Sequence, residues 1–201
     1  MDKEYVWYVG YGSNLCKDRF LWYLDGKQRT FFGVDLESWE GCRDKEWLGE
    51  SVECKIRYPL YFANMSKKWR GAVAFLDCNH FNEKYLTYGR MWKIASEQLE
   101  DIWEKEGKGD KWYNALVPLP IESPDKRPVY TITHAGHIKN AVPANAYIQV
   151  MACGLKESHQ LDDEEIIRYL LSLQGIKRRR GKKHIRGLVV KALQHKNARH
   201  W

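Results

Sequence analysis

Residues 5–15 read Tyr-Val-Trp-Tyr-Val-Gly-Tyr-Gly-Ser-Asn-Leu, an aromatic and β-branched run that stops abruptly in small, hydrogen-bonding residues. The run predicts a buried strand over 4–11, and a strand of that kind requires a core to bury it. At 201 residues the chain is long enough for one well-filled core, and a second would be a squeeze. The exit from the strand is the more telling part. Gly10 and Gly12 permit close backbone approach, and successive amide groups there can form an anion-binding nest. Ser13 and Asn14 add donors at a helix N-terminus, which suits a carboxylate or a phosphate. No Lys-Ser/Thr follows, as a Walker A loop requires, and the Gly-x-Gly-x-x-Gly pattern is incomplete. On its own the stretch reads equally as a helix cap and as a ligand cradle.

Behind it, residues 15–24 predict a short helix capped by Ser13 or Asn14, and 29–37, 55–63 and 71–76 predict strands. Residues 89–94, at the end of Tyr-Leu-Thr-Tyr-Gly-Arg-Met-Trp-Lys-Ile, predict another strand. Ser96 then caps an acidic amphipathic helix that turns Leu99, Ile102 and Trp103 to the core and ends at Gly107 and Gly109. Residues 113–119, 129–133 and 145–153 read as strands, and 162–173 as a helix with acidic residues in its first turn and Ile166, Ile167, Leu170 and Leu171 on one side. Many short strands, few helices and no regular alternation indicate an α+β fold with a mixed or antiparallel sheet.

The formal net charge of +7 is a property of one end. Residues 176–201 hold ten of the 33 Lys and Arg and no acid, so the remainder sets 23 basic against 26 acidic residues. A basic nucleic-acid-binding face across the whole domain is not supported. Five scattered cysteines, none in a Cys-x-x-Cys pair, suit reduced thiols in the cytoplasm. The charged N-terminus carries no secretory pattern, and no run of about 18 apolar residues exists to span a membrane.

One carboxylate stands out. Glu106 sits beside a glycine-rich break at a helix C-terminus, facing the negative end of the helix dipole, with Trp103, Trp112 and Tyr113 close in sequence. Partial burial among those rings would make it an acid/base group, although a glutamate at a helix end is ordinarily a solvated one.

Taken together, Tyr-Val-Gly-Tyr-Gly-Ser-Asn-Leu, Tyr-Gly-Arg-Met-Trp-Lys-Ile, Glu-Lys-Glu-Gly-Lys-Gly-Asp-Lys-Trp-Tyr and the late Gly154-Leu155-Lys156-Glu157 segment resemble, in order, the γ-glutamylcyclotransferase family over residues 5–173. The resemblance implies a mixed β-barrel with surrounding helices over 1–175, followed by a basic C-terminal extension, 176–201. It implies release of 5-oxoproline from a γ-glutamyl compound, the substrate's own α-amine attacking its γ-carbonyl, so that no cofactor or metal is needed. Glu106 matches the acid/base. Tyr8, Val9, Gly10, Tyr11, Gly12 and Ser13 match the substrate-binding loop, with Asn14 holding its shape. Tyr113 matches the tyrosine after the catalytic turn, and Tyr147 a later tyrosine whose hydroxyl faces the pocket. The Gly-x-Lys-Glu stretch matches a turn between a late strand and a terminal helix. Residues 38–54 match nothing in the pattern and are candidates for shaping the leaving-group side. The partners implied are a small γ-glutamyl substrate, no membrane, and at most a second copy of the chain in a homodimer.

Other constellations are weaker. His134 and His137 form a His-x-x-His pair without a third ligand at a familiar spacing. Cys153 and His159 are better read as a buried strand cysteine and a histidine before a helix than as a nucleophile pair. Two rival functions stay open: a non-catalytic small-molecule-binding module of the same fold, and nucleic-acid binding through the basic tail with Trp201 stacking.

Overall fold

Strand β1 (Tyr5–Gly10) forms the axis of the fold in the computed structural model, which describes residues 3–109, 112–176 and 181–198. Eight further strands follow: β2 (Arg29–Phe31), β3 (Val34–Leu36), β4 (Ser51–Ile56), β5 (Leu60–Ser66), β6 (Gly71–Leu76), β7 (Thr87–Ala95), β8 (Ala115–Pro118) and β9 (Val129–Thr133). The helices are α1 (Lys17–Asp25), α2 (Ser96–Lys105), α3 (Asn145–His159), α4 (Asp163–Ser172) and α5 (Lys182–Ala198). A five-stranded sheet runs β4-β7-β1-β9-β8, and β2-β3 and β5-β6 make two-stranded ribbons. Strand β1 pairs antiparallel with β7, Gly10 opposite Arg90, and parallel with β9, Trp7 opposite Val129. With neighbours on both edges and Val6–Gly10 buried, β1 is apolar throughout rather than alternating.

Side chains, rather than a backbone ladder, join the β5-β6 ribbon to the sheet. Thr133 Oγ1, at the end of β9, accepts from Leu76 N (3.0 Å) and donates to Leu76 O (2.8 Å). Tyr113 Oη donates to Ala74 O at 3.0 Å, and Tyr147 Oη accepts from Ala74 N at 3.2 Å. These contacts gather the ends of β1, β6 and β9 at one place, with helices around them in an α+β arrangement.

Several expected elements differ. The segment at 145–153 is the first part of helix α3, not a strand, and the expected Gly-x-Lys-Glu turn lies inside that helix. Ala146 through Leu155 are all buried, so this stretch is apolar on every side and shows no 3.6-residue period to separate it from a buried strand. Gly154 lets α3 lie against the loop after β1, since a Cβ there would stand 2.5 Å from Cys16 N. The expected strand at 29–37 is the hairpin β2-β3, turned by Phe32 and Gly33 at φ 50° and 78°. The expected strand at 55–63 is the end of β4 and the start of β5. Helix α1 begins at Lys17 after a single 3₁₀ turn, Ser13–Leu15, so neither Ser13 nor Asn14 caps it. Its first amide, Lys17 N, donates instead to Glu157 on α3 at 2.8 Å. In α2, Ser96 is the first helical residue and Ala95 the cap, its amide taken by Gln98 Oε1 at 2.8 Å.

Helix α5 lies within the basic segment 176–201. Ile185, Val189 and Ala192 recur at helical spacing and are fully buried against α3 and α4. Over its described residues this segment buries one apolar face in the core and leaves its charged face exposed; residues 177–180 and Trp201 lie outside the described residues. No described helix is long and apolar enough to cross a membrane.

Asp125 fastens the far end of β1, accepting from Trp7 Nε1 (2.7 Å) and pairing with Lys93 Nζ (3.0 Å) and Arg127 Nε (3.1 Å). Burial alone would raise its pKa, but the hydrogen bonds from Trp7 and Lys93 outweigh it and hold the carboxyl well below the ordinary 3.8. The folded chain therefore binds this proton less tightly than the unfolded one. The stabilisation is complete above about pH 4 and fades as the pH falls below it. Thermal melts across that range should show Asp125→Asn with a flatter acid limb than the parent; identical limbs would remove Asp125 from the effect.

Candidate active site

Where β1 ends, the chain cannot turn freely, because the loop is pinned from beneath. Trp92 Nε1, on β7, donates to Asn14 O at 3.0 Å, and Phe20 of α1 stacks on the Trp92 ring at 4.1 Å. Leu15 N and Cys16 N return to Gly12 O and Ser13 O at 3.2 and 3.1 Å, closing the 3₁₀ turn. The loop so held forms one wall of a cavity of about 190 Å³. Helix α2 forms another, ending with Glu106 at its C-cap as Gly107 turns to φ 86°.

Glu106 is half-buried, and its Oε1 accepts from Asn14 Nδ2 at 2.9 Å and from Tyr23 Oη. Asn14 Nδ2 also donates to Tyr8 Oη at 2.8 Å, so both amide hydrogens are used and Oδ1 is left buried without a partner. Glu106 Oε2 has no protein partner among the described residues. Tyr23 Oη in turn accepts from Arg19 Nη2, and Arg19 is 4% exposed with Nε and Nη1 unpartnered. Burial raises the pKa of Tyr8, Tyr11, Tyr23, Tyr113 and Tyr147, so all five present protonated hydroxyls at neutral pH. Tyr147 Oη accepts from Ser13 N (3.3 Å) and Ala74 N (3.2 Å), which occupies both lone pairs and leaves its proton to donate into the cavity.

The structure thus brings together Glu106, Tyr8, Tyr11, Gly12, Ser13, Asn14, Tyr113 and Tyr147 around one cavity, across as many as 139 positions of sequence. Two expected loop residues do not reach it. Val9 is wholly buried, its carbonyl accepting from Thr131 Oγ1 at 2.8 Å, and Gly10 packs against Asn14. The Ser13 amide serves Tyr147 rather than the cavity. Residues 38–54 do not line the cavity either; Asp44 and Glu46 pack on α2, where Gln98 Nε2 donates to their carbonyls at 2.9 and 2.7 Å, and 51–54 begin β4. The cavity lining also includes Trp22, Ser66, Lys68, Trp69, Lys105 and Trp112. Sequence reasoning missed Arg19 and Tyr23. The available signal was their spacing, four apart on one helical face directly behind the loop.

His134 and His137 take different partners: Gly136 O at 2.8 Å for the first, Asp77 at 3.3 Å for the second. Cys153 Sγ donates to Ala192 O and His159 meets Ser158 and Cys54 O, so those two form no pair. Cys153 lies in a helix rather than a strand.

Gly12 is the tightest point of the loop: a Cβ there would stand 2.4 Å from Tyr147 Oη and 3.0 Å from Ala74 Cβ. Gly12→Ala should cost about 1–3 kcal/mol as the loop and α3 are pushed apart. Denaturant unfolding measures this, and an unchanged midpoint would refute the contact.

No protein-family model matches the chain. In sequence, histone deacetylase 5 of Arabidopsis thaliana is 27% identical over 208 residues, a match to 82% of this chain. The chain spans only 30% of that protein's length. Among solved structures, a γ-glutamyl cyclotransferase superimposes over 94% of this chain and 99% of its own, with a TM-score of 0.58 at 17% identity. An uncharacterized human protein does so over the same shares, with a TM-score of 0.58 at 18% identity. These likenesses concern the fold, which is γ-glutamyl cyclotransferase-like.

Proposed function

We propose that this chain is a cyclotransferase that releases 5-oxoproline and an amine-bearing product from a γ-glutamyl compound. The observation that carries the reading is the state of Glu106. It is the one acidic side chain lining the cavity among the described residues, with Oε1 fixed by Asn14 and Tyr23 and Oε2 without a protein partner. A carboxylate held by one oxygen and open at the other is placed to exchange a proton with a bound ligand.

The chemistry asks for little more. The substrate's α-ammonium gives a proton to Glu106, and the freed nitrogen attacks the γ-carbonyl carbon to close a five-membered ring. The carbonyl oxygen becomes an oxyanion, toward which the hydroxyls of Tyr147 and Tyr8 are available donors. The bond from the γ-carbon to the leaving nitrogen then breaks as Glu106 returns its proton to that nitrogen, and the second proton of the ring nitrogen passes by the same carboxylate to the departing amine, which leaves as an ammonium while the ring becomes the neutral lactam. Holding a flexible glutamyl chain folded back on itself is the larger contribution, because it turns ring closure into a pre-oriented step. Among the residues that line the cavity, Arg19 is complementary in charge to the α-carboxylate and Glu106 to the α-ammonium.

The test is an assay of 5-oxoproline from a panel of γ-glutamyl amino acids, peptides and amides. Product from at least one of them is expected. No product from any, with the protein folded, would leave a binding module of the same fold as the better reading.

A further inference from the structure

One chain of hydrogen bonds runs from helix α1 to the carboxylate at the end of α2. Arg19 Nη2 donates to Tyr23 Oη, and Tyr23 Oη donates to Glu106 Oε1. The direction is forced, because a guanidinium has no acceptor and a phenol has one proton to give. Burial works against the Arg19 charge, but the Tyr23 hydroxyl and the Glu106 carboxylate outweigh it, so the guanidinium stays a donor. Its Nε and Nη1 are closed to solvent and without a protein partner, and its Cζ lies 4.2 and 4.8 Å from the ring centres of Tyr23 and Trp22. A cation packed in this way fixes the hydroxyl it serves.

Asn14 Nδ2 reaches the same carboxylate oxygen at 2.9 Å. Oε1 therefore receives two donors, which take up both of its lone pairs, while Oε2 receives none among the described residues. With Asn14 alone, one lone pair of Oε1 would stay open to a proton. A proton on Oε1 must now displace the phenol or the amide, each of which would lose its bond in a partly buried place. We infer that Tyr23 and Arg19 are positioning residues that confine the mobile proton of Glu106 to Oε2, Tyr23 by occupying Oε1 and Arg19 by acting through Tyr23. On the cyclotransferase reading, on which this rests, the same oxygen then takes the proton from the attacking nitrogen and gives it to the leaving one.

Tyr23→Phe, Arg19→Met and the double variant make a cycle read in kcat for 5-oxoproline release, with thermal melts to confirm folding. Each single substitution is expected to lower kcat about tenfold, the worth of one hydrogen bond to a charged group, with KM for Tyr23→Phe held within about twofold. Any rise in KM for Arg19→Met reports the lost attraction for the substrate's α-carboxylate and leaves the comparison of kcat values intact. The double variant should lose no more than the larger single loss, because Arg19 acts through Tyr23. Losses that multiply to about a hundredfold give Arg19 a route of its own and overturn the positioning role, as does an unchanged kcat in Tyr23→Phe.

Infrared difference spectra read the same arrangement without turnover. In acid, with Glu106 protonated and the protein folded, subtracting the spectrum of the matching Glu106→Gln protein isolates the C=O stretch of this one carboxyl. With the proton on Oε2, the C=O oxygen is Oε1 and carries both hydrogen bonds. The band should therefore lie low and move to higher frequency in Tyr23→Phe and in Arg19→Met. Tyr23→Phe, the milder change, carries this test by itself if Arg19→Met does not fold. A band unmoved in Tyr23→Phe overturns the positioning role whatever the kinetics. If the wild-type protein makes no 5-oxoproline from any γ-glutamyl compound but the band shifts as expected, the reaction falls and the proton on Oε2 stands. Product formation with an unmoved band, or with losses that multiply, keeps the reaction and removes the positioning role.

Discussion

Glu106→Gln is expected to lower kcat for 5-oxoproline release by a factor of about 10² to 10⁴, while substrate binding and the melting temperature change little. The substitution keeps the shape of the side chain. Its amide oxygen can still accept from Asn14 and Tyr23, the two partners that fix Oε1. On the proposed mechanism, what it removes is the capacity to carry a proton between the attacking and leaving nitrogens. Single-turnover assays with a γ-glutamyl substrate measure the loss. Activity within about tenfold of the parent would assign the proton transfers to another group, and the cavity lining contains no other carboxylate among the described residues.

Trp92→Ala should be the most damaging change to stability away from the cavity itself, at about 3–5 kcal/mol. Trp92 is fully buried; Phe20 stacks on it at 4.1 Å, Trp47 meets it edge-on at 5.6 Å, and Arg90 lies over its face at 4.0 Å. The residue also ties the core to the chemistry, since its Nε1 holds Asn14 O at 3.0 Å and Asn14 holds Glu106. Trp92→Phe separates the two roles. It should lose less stability than the alanine variant, yet leave the Asn14 carbonyl unanchored and lower kcat several-fold. Denaturant unfolding and steady-state kinetics on the pair read the two effects apart. A phenylalanine variant with full activity would show that the loop keeps its shape without this hydrogen bond.

Strands β1 and β6, one central to the sheet and one in the β5-β6 ribbon, were legible because they are uniformly apolar or aromatic and bounded by glycine, as in 5–10 and 71–76. Helix α4 was legible from its ends, Asp162 accepting from Glu165 N and Glu165 returning a bond to Asp162 N, each at 2.8 Å. Helix α3 was misread for the reason that makes it central: it is buried on every side, so it carries no polar face to set its period. The burial of α5 was hidden by composition, its apolar stripe interleaved with lysines that dominate any average over 176–201. In the site, the loop after β1 and Glu106 were recognisable because their chemistry is written into consecutive residues. Arg19 and Tyr23 were not, because their importance depends on which way a helix faces.

By itself the sequence determined a buried strand ending in a glycine loop, an amphipathic helix ending in a carboxylate, and an α+β chain to hold them. Those are local matters of side-chain shape, backbone freedom and periodicity. Tertiary structure alone decided that Ser13 N spends its hydrogen bond on Tyr147, that Val9 and Gly10 support the loop without lining the cavity, and that Arg19 reaches Glu106 by way of the Tyr23 hydroxyl. Such facts depend on distances between residues far apart in the chain. Close packing fixes them, and no stretch of neighbouring residues records them.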